Sequence, residues 1–339
     1  MKNSVLITLL FLMLFSCGTT KDKIAEEKIS ILWPPPPDKP RIKFIETIRS
    51  QRDVEVKKKK RIKDILLGID PNKTSITLGR PMDIAVNSKG DLLVVDSKKV
   101  GIHLFNKKEK KFKIFGTSGM GTLSWPNSIE VDKNDNIYVT DHTKKKVFKY
   151  DPNGKFIIAF GDFENPVGLC YDGKNERIFV VDSKKHNVFY FNGEGMLLGK
   201  FGDRGVEEGQ FNFPTFCDVD LEGNIYVVDT GNSRVQIFDE NLEVLGSFGS
   251  LGVHPGQFTR PKGIAVDKNG IIYVVDGAFN NVQMFDKELR FLMPFCEAGS
   301  NSGQLLLPVG IEIDNNEFIY VADYGNGRIQ IFQAIYDIK

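Results

Sequence analysis

Tryptophan is scarce in this chain of 339 residues, with only two, and cysteine and histidine number four each. Four cysteines in so long a chain exclude a disulfide-framework protein. Charge of one sign is missing too: 45 Lys and Arg against 44 Asp and Glu leave a net +1, which excludes a globally basic nucleic-acid binder. The opening apolar run, Val5 to Phe15, is far short of the roughly 20 residues that a membrane-crossing helix needs. There is no G-x-S-x-G elbow, no H-E-x-x-H, no Walker loop and no G-x-G-x-x-G. Glycine (32) and phenylalanine (26) are plentiful instead, the composition of a turn-dense β protein.

The first residues read as an address. Lys2, the short apolar run and Ser16-Cys17-Gly18 follow a secretory signal pattern. Leu14-Phe15-Ser16-Cys17 also resembles a bacterial lipobox. The resemblance implies a signal peptide over 1–16, a lipid on Cys17 holding the chain to a membrane, and a place in the cell envelope. Gly18 does not resemble the aspartate that retains enteric lipoproteins at the inner membrane, so the outer membrane is expected. Residues 17–40 then form a tether, with Trp33-Pro34-Pro35-Pro36-Pro37 as a stiff spacer. Charge is uneven beyond it: residues 18–79 carry 15 Lys/Arg against 9 Asp/Glu, and residues 80–339 carry 29 against 35.

From residue 80 the sequence repeats. Six short strands follow Pro81, Pro126, Pro166, Pro214, Pro261 and Pro308. Each is followed by a polar turn and a strand ending in aspartate, at Asp96, Asp141, Asp182, Asp229, Asp276 and Asp323. A third strand ends on an aromatic residue, Phe105 to Phe332, and a fourth on Phe-Gly, as at Phe115-Gly116 and Phe248-Gly249. The aspartates lie 45, 41, 47, 47 and 47 residues apart, and four strands per such period is the pattern of a propeller. One four-stranded sheet buries neither of its faces alone, whereas sheets stacked radially cover each other. The copy Gly223-Asn-Ile-Tyr-Val-Val-Asp-Thr-Gly-Asn-Ser-Arg-Val-Gln-Ile-Phe-Asp239 resembles the NHL-repeat family, specifically its six-bladed bacterial lipoproteins, and Trp33–Pro37 with Arg41–Thr47 look like their lead-in.

The expected fold is therefore all-β: a six-bladed propeller of four-stranded antiparallel blades over 41–339. Its last copy lacks a fourth strand, and Arg41-Ile-Lys-Phe-Ile-Glu-Thr-Ile48 has the length and alternation to supply it, so a closure strand over 41–49 is expected beside Arg328–Phe332. A short helical insertion is expected at about 55–70, around Lys57–Leu67.

For chemistry, the six strand-end aspartates are read as structural, accepting backbone N–H groups of the next turn. The histidines occupy no common repeat position, so no zinc site and no cofactor is expected. Cys170 and Cys217 sit at adjacent offsets in their strands and should point to opposite sheet faces, which argues for two buried thiols rather than a disulfide. Charge on one propeller face carries the functional reading. Second-to-third-strand turns there present Lys98, Lys99, Lys144, Lys145, Lys146, Lys184 and Lys185, with Arg234, Arg328 and an exposed Trp125. These imply a monomeric, non-catalytic module that binds an envelope protein or an anionic glycan and no nucleic acid. The alternative is a metal-dependent lyase or lactonase with its site at the central channel, recognisable by His, Asp and Glu side chains converging there.

Overall fold

The computed structural model describes residues 30–55 and 75–335. The signal segment, Cys17 and the expected helix at Lys57–Leu67 lie outside the described residues.

Six blades surround one axis. The first contains Pro81–Val86, Leu92–Asp96, Gly101–Asn106 and Lys111–Phe115, hydrogen-bonded in that order from inside to outside. The next four repeat this order, with inner strands Pro126–Val131, Pro166–Asp172, Cys217–Val219 and Pro261–Val266. The sixth inner strand, Ile311–Ile313, lies against both the fifth and the first, which closes the ring.

Periodicity explains why such sheets stack. In the fifth blade's second strand, Ile272 and Val274 enter the core shared with blade four, while Tyr273 and Val275 enter the core shared with blade six. Adjacent residues of a strand face opposite sides, so one apolar tract feeds two interfaces. Each of the six blade-to-blade interfaces has one such cluster of buried apolar residues.

Closure uses the chain's beginning. Ile42–Ile48 pairs antiparallel with Arg328–Ala334, Phe44 opposite Phe332 and Ile48 opposite Ile329. The structure adds a fifth strand that corrects the expected spacer. Leu32–Trp33 pairs with Ile42 and Lys43 on the outer edge of blade six, so the proline run is the loop of a hairpin rather than an extended arm. Trp33 packs its ring 6.1 Å from Phe295 and 5.7 Å from Phe332.

The two buried thiols need a second correction: Cys170 and Cys217 form a disulfide, with Cα atoms 5.6 Å apart. The premise of opposite faces is the reason it forms. Blades stack face to face, so the side of blade three that looks toward blade four meets the reverse side of blade four. The bond closes a loop with a separation of 47 residues, a constraint of about 4 kcal/mol on the chain-entropy account. Cys296 is the free thiol among the described residues, and takes a left-handed φ of 66° where four other blades have glycine at φ 73° to 90°.

Candidate binding face

The strand-end aspartates build one face of the ring. All six are fully buried. Asp96 accepts N–H groups from Gly79 (2.6 Å) and Arg80 (3.0 Å) in the incoming loop, and from Lys98 (2.8 Å) and Lys99 (2.7 Å) in its own turn. Asp141 holds Ser124, Trp125 and Lys144 in the same way, and Asp276 holds Thr259, Arg260, Ala278 and Phe279. Asp182 accepts from Glu164 and Asn165, Asp229 from Asn212, and Asp323 from Leu306. Each carboxylate thus fastens an inter-blade loop to a turn. Six residues that precede the blade-opening prolines (Arg80, Trp125, Asn165, Phe213, Arg260 and Leu307) are set as a ring where the inner strands begin.

Two cations assigned to this face belong underneath it. Arg328 is 1% exposed, bound to Asp323 at 2.5 Å and to the carbonyls of Ser300, Asn301 and Gln304. The Arg234 side chain is 14% exposed and does the same for Asp229 and the Glu207 and Gln210 carbonyls. A guanidinium five residues beyond the aspartate reaches under the neighbouring loop, so neither is offered to a partner.

The lysines divide. Lys146 donates to the Gly161 carbonyl, Lys184 pairs with Glu164 at 3.4 Å, and Lys185 donates to the Asp162 carbonyl and lies over Phe189. Lys98, Lys99, Lys144 and Lys145 are exposed, and among the described residues their ammonium groups have no acidic partner. Trp125 is 47% exposed beside His142, whose Nδ1 lies 2.6 Å from Asn165 Oδ1.

The histidines do not converge. His103 is buried with Nε2 2.7 Å from the Lys99 carbonyl, and burial lowers its pKa. His186 accepts the Phe213 N–H at 3.1 Å, and His254 is exposed in a loop. Among the described residues no group of three or more His, Cys, Asp or Glu is arranged to hold a metal ion.

The sequence reading missed four carboxyl groups on the inner strands: Asp83, Glu130, Asp218 and Glu312. Burial, with a contribution from neighbouring carboxylates, raises the pKa of Asp83 and Asp218 to about 7 and that of Glu130 and Glu312 well above the usual range. Asp83 accepts from Ser128 Oγ (2.5 Å) and the Ile129 N–H (3.1 Å), and Asp218 from the Val266 N–H (2.6 Å) on the next blade. A signal was present: Glu130, Asp218 and Glu312 share one repeat position with Ala85, Cys170 and Ala265, where small or apolar residues suit close packing.

Comparison with known proteins bears on the fold. NHL repeats match at residues 211–238 and 305–332. A search of curated proteins found no match. Among solved structures, a Bacteroides thetaiotaomicron protein of unknown function aligns with TM-score 0.62 at 16% identity, over 87% of this chain and 76% of its own. An auxiliary nutrient binding protein from Bacteroides ovatus aligns with TM-score 0.60 at 11% identity, over 77% and 71%. Virginiamycin B lyase from Staphylococcus aureus aligns with TM-score 0.57 at 14% identity, over 76% and 95%. Identities this low speak to architecture alone. With the ring of blades and the closure strand in agreement, the chain is a six-bladed β-propeller that carries NHL repeats at 211–238 and 305–332.

Proposed function

We propose that this propeller is a lipid-anchored, non-catalytic binding module of a bacterial cell envelope, at the outer membrane, that docks an anionic partner on the turns of its first two blades. One observation carries the reading: Lys98, Lys99, Lys144 and Lys145 stand exposed without acidic partners among the described residues, near the half-exposed Trp125. Such a patch steers and orients an acidic surface, and its attraction falls with salt. The partner class is an envelope protein or an anionic glycan. A disulfide between blades suits an oxidising compartment, which agrees with export through the signal segment. The nutrient-binding neighbour lends support to a binding role, whereas the lyase neighbour supports the enzyme reading, which lacks converging metal ligands among the described residues.

The test uses a soluble polyuronate as the anionic probe and a neutral polysaccharide as its control. Reversing Lys144 and Lys145 to Glu should weaken polyuronate binding about tenfold and flatten its salt dependence. Unaltered affinity would reject the lysine face. For the anchor, Cys17→Ser should release the protein from membranes to the soluble fraction. Retention on membranes would remove the lipid from the proposal.

A further inference from the structure

Blade five departs from its siblings at the residue after the strand-end aspartate. Ser97, His142, Ser183, Thr230 and Tyr324 occupy that position elsewhere, and here it is Gly277. Gly277 does not have a left-handed φ, so its backbone conformation does not demand glycine. Its missing side chain lets two cations pack close to the backbone, and the Arg260 guanidinium donates to the Gly277 carbonyl at 3.4 Å. A Cβ there would lie 3.6 Å from Lys262 Cγ and 3.8 Å from Arg260 Nε, with the Pro308 carbonyl oxygen at 3.2 Å.

Those cations are unusual for their positions. Lys262 is the only charged residue among the six that follow the blade-opening prolines, the others being Met82, Asn127, Val167, Thr215 and Val309. It is half-buried, and burial together with the Arg260 charge lowers its pKa. Among the described residues neither Lys262 nor Arg260 pairs with a carboxylate side chain. Hydroxyls stand close by: Thr215 Oγ1 and Thr230 Oγ1 are 2.8 Å apart, and Thr215 reaches the Lys262 carbonyl at 3.3 Å. Two like charges side by side, one of them partly desolvated, repel unless an anion joins them.

The ring supplies an apolar margin. Phe213 and Leu307, on the blades either side, are 50% and 41% exposed, and both hold left-handed backbone conformations. The Phe213 N–H is fastened to His186 and the Leu307 N–H to Asn280 Oδ1 at 2.6 Å. Non-glycine residues held in that region mark places where surrounding structure over-determines the backbone.

We propose that Arg260 and Lys262, flanking Gly277, form a binding site for a small organic carboxylate whose apolar body rests toward Phe213 and Leu307. The guanidinium's planar fork matches a carboxylate and the ammonium supplies a point charge. This site lies on the opposite half of the ring from Lys144 and Lys145 and does not depend on the reading of that patch.

The test uses the full chain with reductively ¹³C-methylated lysines, and assigns the Lys262 signal by its absence in Lys262→Arg. Benzoate is the probe, with acetate and benzyl alcohol as the carboxylate-only and apolar-only controls. Benzoate should move the Lys262 resonance and raise the pH at which it titrates, more strongly than either control. Arg260→Gln should weaken that response about tenfold or more, and Gly277→Thr should do the same by crowding both cations. Lys144→Glu with Lys145→Glu should leave it unchanged. A Lys262 resonance indifferent to benzoate, or a response undiminished in Arg260→Gln, would overturn the site. An equal response to acetate would overturn the apolar part of the assignment.

Discussion

A chain lacking residues 41–49 is expected to lose its cooperative unfolding transition altogether. The segment is the fourth strand of blade six and also contributes to two interfaces at once. Ile42 is buried in the core between blades five and six, and Ile48 in the core between blades six and one. Truncating a buried Ile to Ala costs about 2–5 kcal/mol, so the pair approaches the whole stability of about 5–15 kcal/mol that domains possess. The backbone loss compounds this, because the third strand Arg328–Ala334 would become a long unpaired edge. Single substitutions keep the test readable: Ile42→Ala and Ile48→Ala should each lower stability by about 2–5 kcal/mol in urea titrations. Trp33 is a built-in reporter, since its ring lies against Phe295 and Phe332. A deletion variant that melts as sharply and at the same denaturant concentration as the parent would refute velcro-like closure.

Closure was legible because it is a counting argument: five copies have a fourth strand, the sixth lacks one, and an orphan strand of matching alternation stands upstream. The aspartates were legible for a similar reason, since a residue repeated in every blade serves something every blade needs. What escaped notice depends on relations between blades. Cys170 and Cys217 meet because the two sheets turn opposite faces to each other, a relation no single strand reveals. Arg328 reads as a turn cation until the inter-blade loop is laid over it, whereupon three carbonyls and a carboxylate surround its guanidinium. Trp33 reads as the start of a proline spacer, and only the hairpin with Ile42 shows its ring to be part of blade six. Glu130 and Glu312 alternate with Ile129, Val131, Ile311 and Ile313, the pattern of a half-solvated strand. Closing the ring brings carboxyl groups from four blades within reach of one another's charge.

That gathering sets the direction in which the fold responds to pH. Asp83 and Asp218 have pKa values raised from the usual 3.8 to about 7, so the folded chain binds their protons more tightly than the unfolded chain does. Below about pH 4 both states are protonated and this contribution to stability is fully present. Between about pH 4 and 7 the unfolded chain ionises while the folded one does not, and stability falls with rising pH. The span corresponds to about 4 kcal/mol for each group as an upper bound, less where water reaches the carboxyl. Glu130 and Glu312, also raised by burial and by neighbouring carboxylates, act in the same direction. The strongest charges acting on the four are their own and those of Asp132, Asp220 and Asp314, all of the same sign. An opposing term operates at the acid end: although burial raises it, hydrogen bonds from Asn175 and Arg177 hold Asp172 below the usual range, so protonating it below about pH 4 destabilises the fold. Stability should therefore peak near pH 4–5 and be several kcal/mol lower at about pH 8 in urea titrations. Glu312 accepts no hydrogen bond among the described residues, so Glu312→Gln removes a charge without orphaning a donor. Asp218→Asn keeps an oxygen for one of its two N–H partners. The double variant should match wild type below about pH 4 and exceed it at about pH 8. Wild-type stability that rises over this interval, or a double variant with the parental slope, would show these carboxyl groups already ionised in the folded ring.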